Sequence, residues 1–170
     1  MLDLIVLYKA DAQFVAMLAV LAAAFVWGAG PERASASAFA YMLLVYIPLH
    51  YILGLVRHYS TIDIGALFID ITTAALFVAI ALRANRMYPL WLAALQLISL
   101  ASHLIRGIDR LMLPLAYSVM NIAPSYLELI IIVGGIVCHV RREKRYGPYR
   151  SWRNSLNRSR AAGPSASPKN

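Results

Sequence analysis

Five stretches of about twenty residues carrying little charge follow one another along this chain, and segments of that length are what a bilayer core of about 30 Å demands of a helix. They fall at about 12–29, 35–56, 62–82, 88–106 and 117–139. In hydrocarbon every backbone N–H and C=O must be satisfied within the segment or by a closed barrel, so apolar runs of this kind fold as helices. The pattern predicts an all-α, five-span transmembrane helix bundle over 1–140. Composition argues the same way. With 61% apolar and 14% charged residues, a soluble bundle of this chain would leave far too much apolar surface in water.

The run boundaries carry local signals. Gly28-Ala29-Gly30-Pro31 is a helix stop after the first run, and residues 1–13 read as a short interfacial lead-in. A cleaved signal peptide is the rival reading, since Ala34-Ser35-Ala36 resembles a processing site. The residues before the run are acidic rather than basic, and Glu32 and Arg33 interrupt the approach to that site. Small residues at the start of the second run allow close helix packing, as does Gly134-Gly135 in the last. One helix from Leu111 to Val140 would measure about 45 Å, too long for the core. A lead-in at Leu113–Tyr117, broken at Pro114, is therefore expected before a tilted span that bends near Pro124 and ends near His139.

Charge placement orients the chain. The formal net charge is +8, and eight of the 16 Lys and Arg fall between Arg141 and Arg160. Arg33, Arg83 and Arg86 fall on the same side as that segment in a five-span topology, which predicts a periplasmic N-terminus and a cytoplasmic C-terminus in a bacterial inner membrane. Residues 141–160 mix basic and aromatic side chains at roughly helical spacing. They read as a membrane-surface segment in which Arg141, Arg142, Lys144, Arg145, Arg150, Trp152 and Arg153 meet anionic lipid headgroups. Nucleic acid is not an expected partner, because the charge is concentrated where a span leaves the bilayer. Residues 161–170 are low in complexity and read as a disordered tail. The single cysteine, Cys138, excludes an internal disulfide.

Two runs carry polar seams. Asp63, Asp70 and Thr73, with small Ala66, share one face of the third. Gln96, Ser99, His103, Arg106 and Arg110 recur at spacings of three and four in the fourth. In the antiparallel topology Asp70 lies about 12 Å below the outer surface, with His103 at about 5 Å, Ser99 at about 10 Å and Gln96 at about 15 Å on the neighbouring helix. Asp63 is thus expected to meet Arg106 or Arg110, and Asp70 to meet His103 or Ser99. His50 and Arg57 on the second helix and Asn121 on the fifth fall in the same half, while Glu128 lies deeper. A carboxylate in the bilayer costs about 3 kcal/mol or more, so Asp70 and Glu128 are expected to face inward and to be paired or protonated.

These groups admit several readings. They hold the bundle together through hydrogen bonds between helices, as an accessory or interaction protein would need, or Asp70, His103 and Glu128 form the site of a small proton-coupled transporter or channel. His50 and His103 could instead ligate a haem between helices two and four, which would make the chain an electron-transfer subunit. A metal site from His50, Asp70 and His103 lacks close ligand spacing. No nucleotide loop, nucleophile motif or zinc signature occurs, and no loop is long enough for a soluble catalytic domain. Neither enzymatic activity nor a cofactor is expected; a membrane-protein partner is compatible with the pattern.

The segments Asp63-Ile-Gly-Ala-Leu-Phe-Ile-Asp70, Arg86-Met-Tyr-Pro-Leu-Trp91, His103-Leu-Ile-Arg106 and Pro114-Leu-Ala-Tyr117, with Gln96 and the Gly30–Arg33 turn, carry a resemblance. Over about Trp27–Gly135 the chain resembles a group of small multi-pass inner-membrane proteins of alphaproteobacteria. That resemblance implies a bacterial inner membrane and lends no activity, cofactor or catalytic residue.

Overall fold

The computed structural model describes residues 2–52, 64–108, 114–147 and 151–152, and within its helices the side chains of 2–11, 47–52, 106, 108, 114, 115, 117, 118 and 121 fall outside the description. It is all-helical, with five helices and no strand among the described residues: α1 (Leu2–Trp27), α2 (Gly30–Ile52), α3 (Ile64–Arg83), α4 (Tyr88–Ile108) and α5 (Pro114–Tyr146). Each helix packs on its neighbour in sequence, and α5 closes the bundle against α1 and α2.

Three segments are long and apolar enough to cross a membrane, namely Ile64–Arg83, Tyr88–Ile105 and Ile122–Tyr146. Ala12–Trp27 is a shorter apolar helix. The distribution of side chains is reversed from that of a water-soluble bundle. Phe68, Leu82, Trp91, Leu104 and Ile130 are more than half exposed, whereas Asp70, Gln96, Ser99, His103 and Glu128 are buried. The largest fully buried apolar side chains, Phe39, Phe77, Met17, Ile69, Leu92 and Ile132, belong to one core cluster.

Several helix limits differ from expectation, each for a local reason. The lead-in before residue 12 belongs to α1, because nothing between Leu2 and Gln13 breaks a helix. The Gly28-Ala29 turn is only two residues long. Gly28 N–H still donates to the Ala24 carbonyl (2.9 Å), and Arg33 N–H already donates to the Ala29 carbonyl (3.0 Å). Gly30-Pro31 therefore opens α2 instead of delaying it to residue 35, since proline suits a first turn where its missing N–H is not needed.

At the other end α5 is one continuous helix of 33 residues, about 50 Å long. Residues 114–117 of the expected lead-in belong to it, and so do residues 141–146, the start of the expected surface segment. Pro114 is the helix's first residue, where proline is tolerated, and Pro124 lies inside. Arg141–Arg145 continue the helix past His139, because a helix need not stop where its apolar stretch does.

Two glycines mark close approaches. A Cβ at Gly135 would stand 3.2 Å from the Tyr88 ring, so α4 and α5 meet there, while the same atom at Gly134 would meet nothing within 4 Å. Tyr88 is thus half-buried against α5. A Cβ at Gly30 would overlap the Trp152 indole. Trp152 bridges to Ala84 while Asn85 N–H donates to the Ser151 carbonyl (3.2 Å), so the indole is packed over the α2 start, with 37% of its surface exposed. Arg150, Arg153 and the expected disordered tail fall outside the described residues.

Candidate functional site

The polar seams of α3 and α4 meet at Asp70. Gln96, Ser99 and His103 stand at i, i+3 and i+7 on α4, a spacing that brings all three to one face. Gln96 Nε2 donates to Asp70 Oδ1 at 2.9 Å and Ser99 Oγ donates to Oδ2 at 2.8 Å. His103 Nε2 lies 3.1 Å from Oδ2, an ion pair when the ring is protonated. A carboxylate only accepts, so the contact puts a proton on Nε2. Ser102 Oγ turns back to the Ser99 carbonyl at 2.6 Å. Asp70 is 7% exposed and His103 1%. Both carboxylate oxygens are thereby occupied by donors from a single helix.

A cavity of about 200 Å³ opens beside this network, bounded by residues of all five helices, among them Gln13, Tyr46, Asp70, Gln96 and Ser125. One further bond between helices borders it, from Gln13 Nε2 to Ser125 Oγ (2.9 Å), and within α5 Ser125 Oγ donates to the Ile122 carbonyl (2.8 Å). Between α2 and α3 the Tyr41 hydroxyl meets Thr72 Oγ1 at 3.2 Å. Glu128 is fully buried on α5, and neither of its oxygens has a hydrogen-bond partner among the described residues. It is near enough to Asp70 for their charges to repel when both are ionised. Thr73 shares the buried face of α3, but its hydroxyl takes no part in the network.

No family model, curated protein or solved structure matches this chain. Its site therefore has to be read from its own chemistry. Asp70, Gln96, Ser99 and His103 are brought together; Glu128 faces the same interior without a partner. Asp63, Arg57 and Arg110 lie outside the described residues, as do the side chains of His50, Arg106 and Asn121. Among the described residues no three His, Cys, Asp or Glu side chains converge to hold a metal ion.

A second buried cluster closes the opposite end of the bundle, and sequence reasoning missed it. Glu32, fully buried, pairs with Arg86 across the α2 start and the α3–α4 turn. Its other oxygen accepts from Ala29 N–H at 3.1 Å. This is the return half of a capping box, with Ala29 at the N-cap and Glu32 at N3. Arg86 Nη2 lies 3.2 Å from His139 Nδ1. A guanidinium only donates, so Nδ1 is the accepting nitrogen and Nε2 carries the proton, which faces Glu143 Oε2 at 3.6 Å. His139 is therefore part of the interior, not of an interfacial fringe. The available signal was Glu32 itself: an acid three residues into a turn-to-helix start, on the side of the chain that is otherwise basic.

Proposed function

We propose that this chain is a five-span protein of the bacterial inner membrane, with its N-terminus periplasmic and its C-terminus cytoplasmic, that acts without enzymatic chemistry as an accessory or interaction protein. The observation that carries the proposal is the occupancy of Asp70. Three donors from α4 converge on one carboxylate, which supports a structural role for Asp70 in pairing α3 with α4 and setting their register. Polar groups used this way specify which helices meet in a membrane, each contributing about 0.6 kcal/mol and at most about 2 kcal/mol.

Orientation is supported by the second cluster. Contacts among Glu32, Arg86 and His139 gather the α1–α2 turn, the α3–α4 turn and the end of α5 at one face, and that face also bears Arg33, Arg83 and Arg141–Arg145. The resemblance to small inner-membrane proteins of alphaproteobacteria supports the choice of membrane.

A small proton-coupled transporter is the second reading, favoured by unpartnered Glu128 and the cavity beside Asp70. Against a continuous pathway stand Phe77, Leu92 and Ile132, fully buried core residues that fall along α3, α4 and α5 between the Asp70 and Arg86 clusters.

Proton flux separates the two. Liposomes containing the protein, with a pH gradient across the bilayer and a dye inside, are expected to lose that gradient no faster than empty liposomes. A faster loss that disappears in Glu128→Gln and Asp70→Asn would replace the accessory reading with the transporter.

A further inference from the structure

The cavity at the inner end of the bundle points to a ligand that the Asp70 site does not explain. It measures about 460 Å³ and lies between the end of α1, the start of α2 and the last turns of α5. Its charged lining consists of Arg33, His139, Glu143 and Lys144. Glu143 Oε2 stands 3.6 Å from His139 Nε2, and the other ring nitrogen faces Arg86. Arg33 and Lys144 are exposed and form no ion pair among the described residues. Among the described lining residues the cations Arg33 and Lys144 stand with a single carboxylate, a balance that suits an anionic group such as a phosphodiester.

The walls are not those of a site for a free ion alone. Val26 and Trp27, 67% and 60% exposed, form the α1 rim, and Val140 lies on the α5 side. These apolar surfaces stand beside the cations at the ends of α1 and α5, two helices that pack on each other. A ligand with an anionic phosphate and an attached acyl chain uses both halves of this lining. We infer that the cavity binds the phosphate group of one anionic phospholipid, gripped by Arg33 and Lys144, with its glycerol over Trp27 and its chains along α1 and α5. The place is distinct from the outward cations Arg141 and Arg145, which attract a charged surface without enclosing anything.

The inference rests on the membrane reading, and the test keeps the two apart. The protein is reconstituted into nanodiscs of phosphatidylcholine alone or with a minor fraction of phosphatidylglycerol, then extracted in mild detergent and weighed by native mass spectrometry. Failure to enter phosphatidylcholine discs as a monodisperse protein sinks the membrane reading itself. Given incorporation, the wild type is expected to retain one phosphatidylglycerol per chain in preference to phosphatidylcholine. The double variant Arg33→Gln/Lys144→Gln is expected to retain at least about tenfold less. The charge-matched variant Arg141→Gln/Arg145→Gln is expected to retain as much as the wild type.

Equal loss in both variants would overturn the inference in favour of diffuse surface attraction, and so would the absence of any preference for phosphatidylglycerol. Inorganic phosphate supplies the remaining arm. Saturable binding of phosphate to the wild type, detected by ³¹P line broadening and with no lipid retained, would overturn the lipid as the source of the phosphate group.

Discussion

Asp70→Ala is expected to destabilise the folded bundle by about 3 kcal/mol, because it strips the shared acceptor from three buried donors at once. Gln96 Nε2, Ser99 Oγ and His103 Nε2 all point at this one carboxylate, and Gln96 adds a long contact of 3.5 Å to the Asp70 carbonyl. The loss therefore exceeds that of one hydrogen bond in a membrane bundle, which averages about 0.6 kcal/mol. Asp70→Asn keeps an acceptor for one side and turns a donor toward the other, so its cost is expected to be smaller, about 1 kcal/mol. Titration of the detergent-solubilised protein with SDS, followed by helical circular dichroism, measures both. Stability unchanged in Asp70→Ala would mean that the network does not hold α3 to α4.

Glu32→Ala is expected to cost more, about 3–5 kcal/mol, since it leaves the Arg86 guanidinium buried without its counter-charge. The side chains of the pair are 8% and 0% exposed, which removes them from the class of surface ion pairs worth less than about 1 kcal/mol. The same substitution deletes the acceptor for Ala29 N–H and so weakens the start of α2. Arg86→Ala is expected to be similarly damaging from the other side, exposing Glu32 to the same cost and releasing His139 Nδ1. The double variant is expected to lose less than the sum of the two, by about 2 kcal/mol, because each single change strands a charge that the double change does not. The same SDS titration closes this cycle. Strict additivity would show that Glu32 and Arg86 stabilise the bundle independently of each other.

The residues that differ between these two clusters explain how far the sequence could be read. In α3 and α4 polar residues are scarce on an apolar background, so the spacing of Asp70 against Gln96, Ser99 and His103 stands out and the antiparallel turn brings them to the same depth. Glu32, Arg86 and His139 lie at helix ends, where polar residues are ordinary and each has a sufficient local explanation as a turn, a flank or a boundary. Only the three-dimensional convergence of three segments separated by more than fifty residues distinguishes them. The length of α5 was hidden for a related reason: hydropathy marks where an apolar face ends, whereas the helix ends later, at Tyr146 before Gly147, whose positive φ of 77° suits glycine. Trp152 was placed by composition among basic neighbours, yet the space left by Gly30, distant in sequence, decides its position.

The account depends on hydrocarbon surrounding the exposed apolar faces while the polar network lies inside. Spin labels introduced singly at Phe68, Leu76, Ile130 and Ser99 in a Cys138→Ala background, in reconstituted bilayers, test this directly through their collision rates with oxygen and with a water-soluble nickel chelate. Labels at Phe68, Leu76 and Ile130 are expected to meet oxygen often and nickel rarely, and the label at Ser99 to meet both rarely. Frequent nickel collisions at Phe68 and Ile130, or a lipid-like oxygen signal at Ser99, would contradict it.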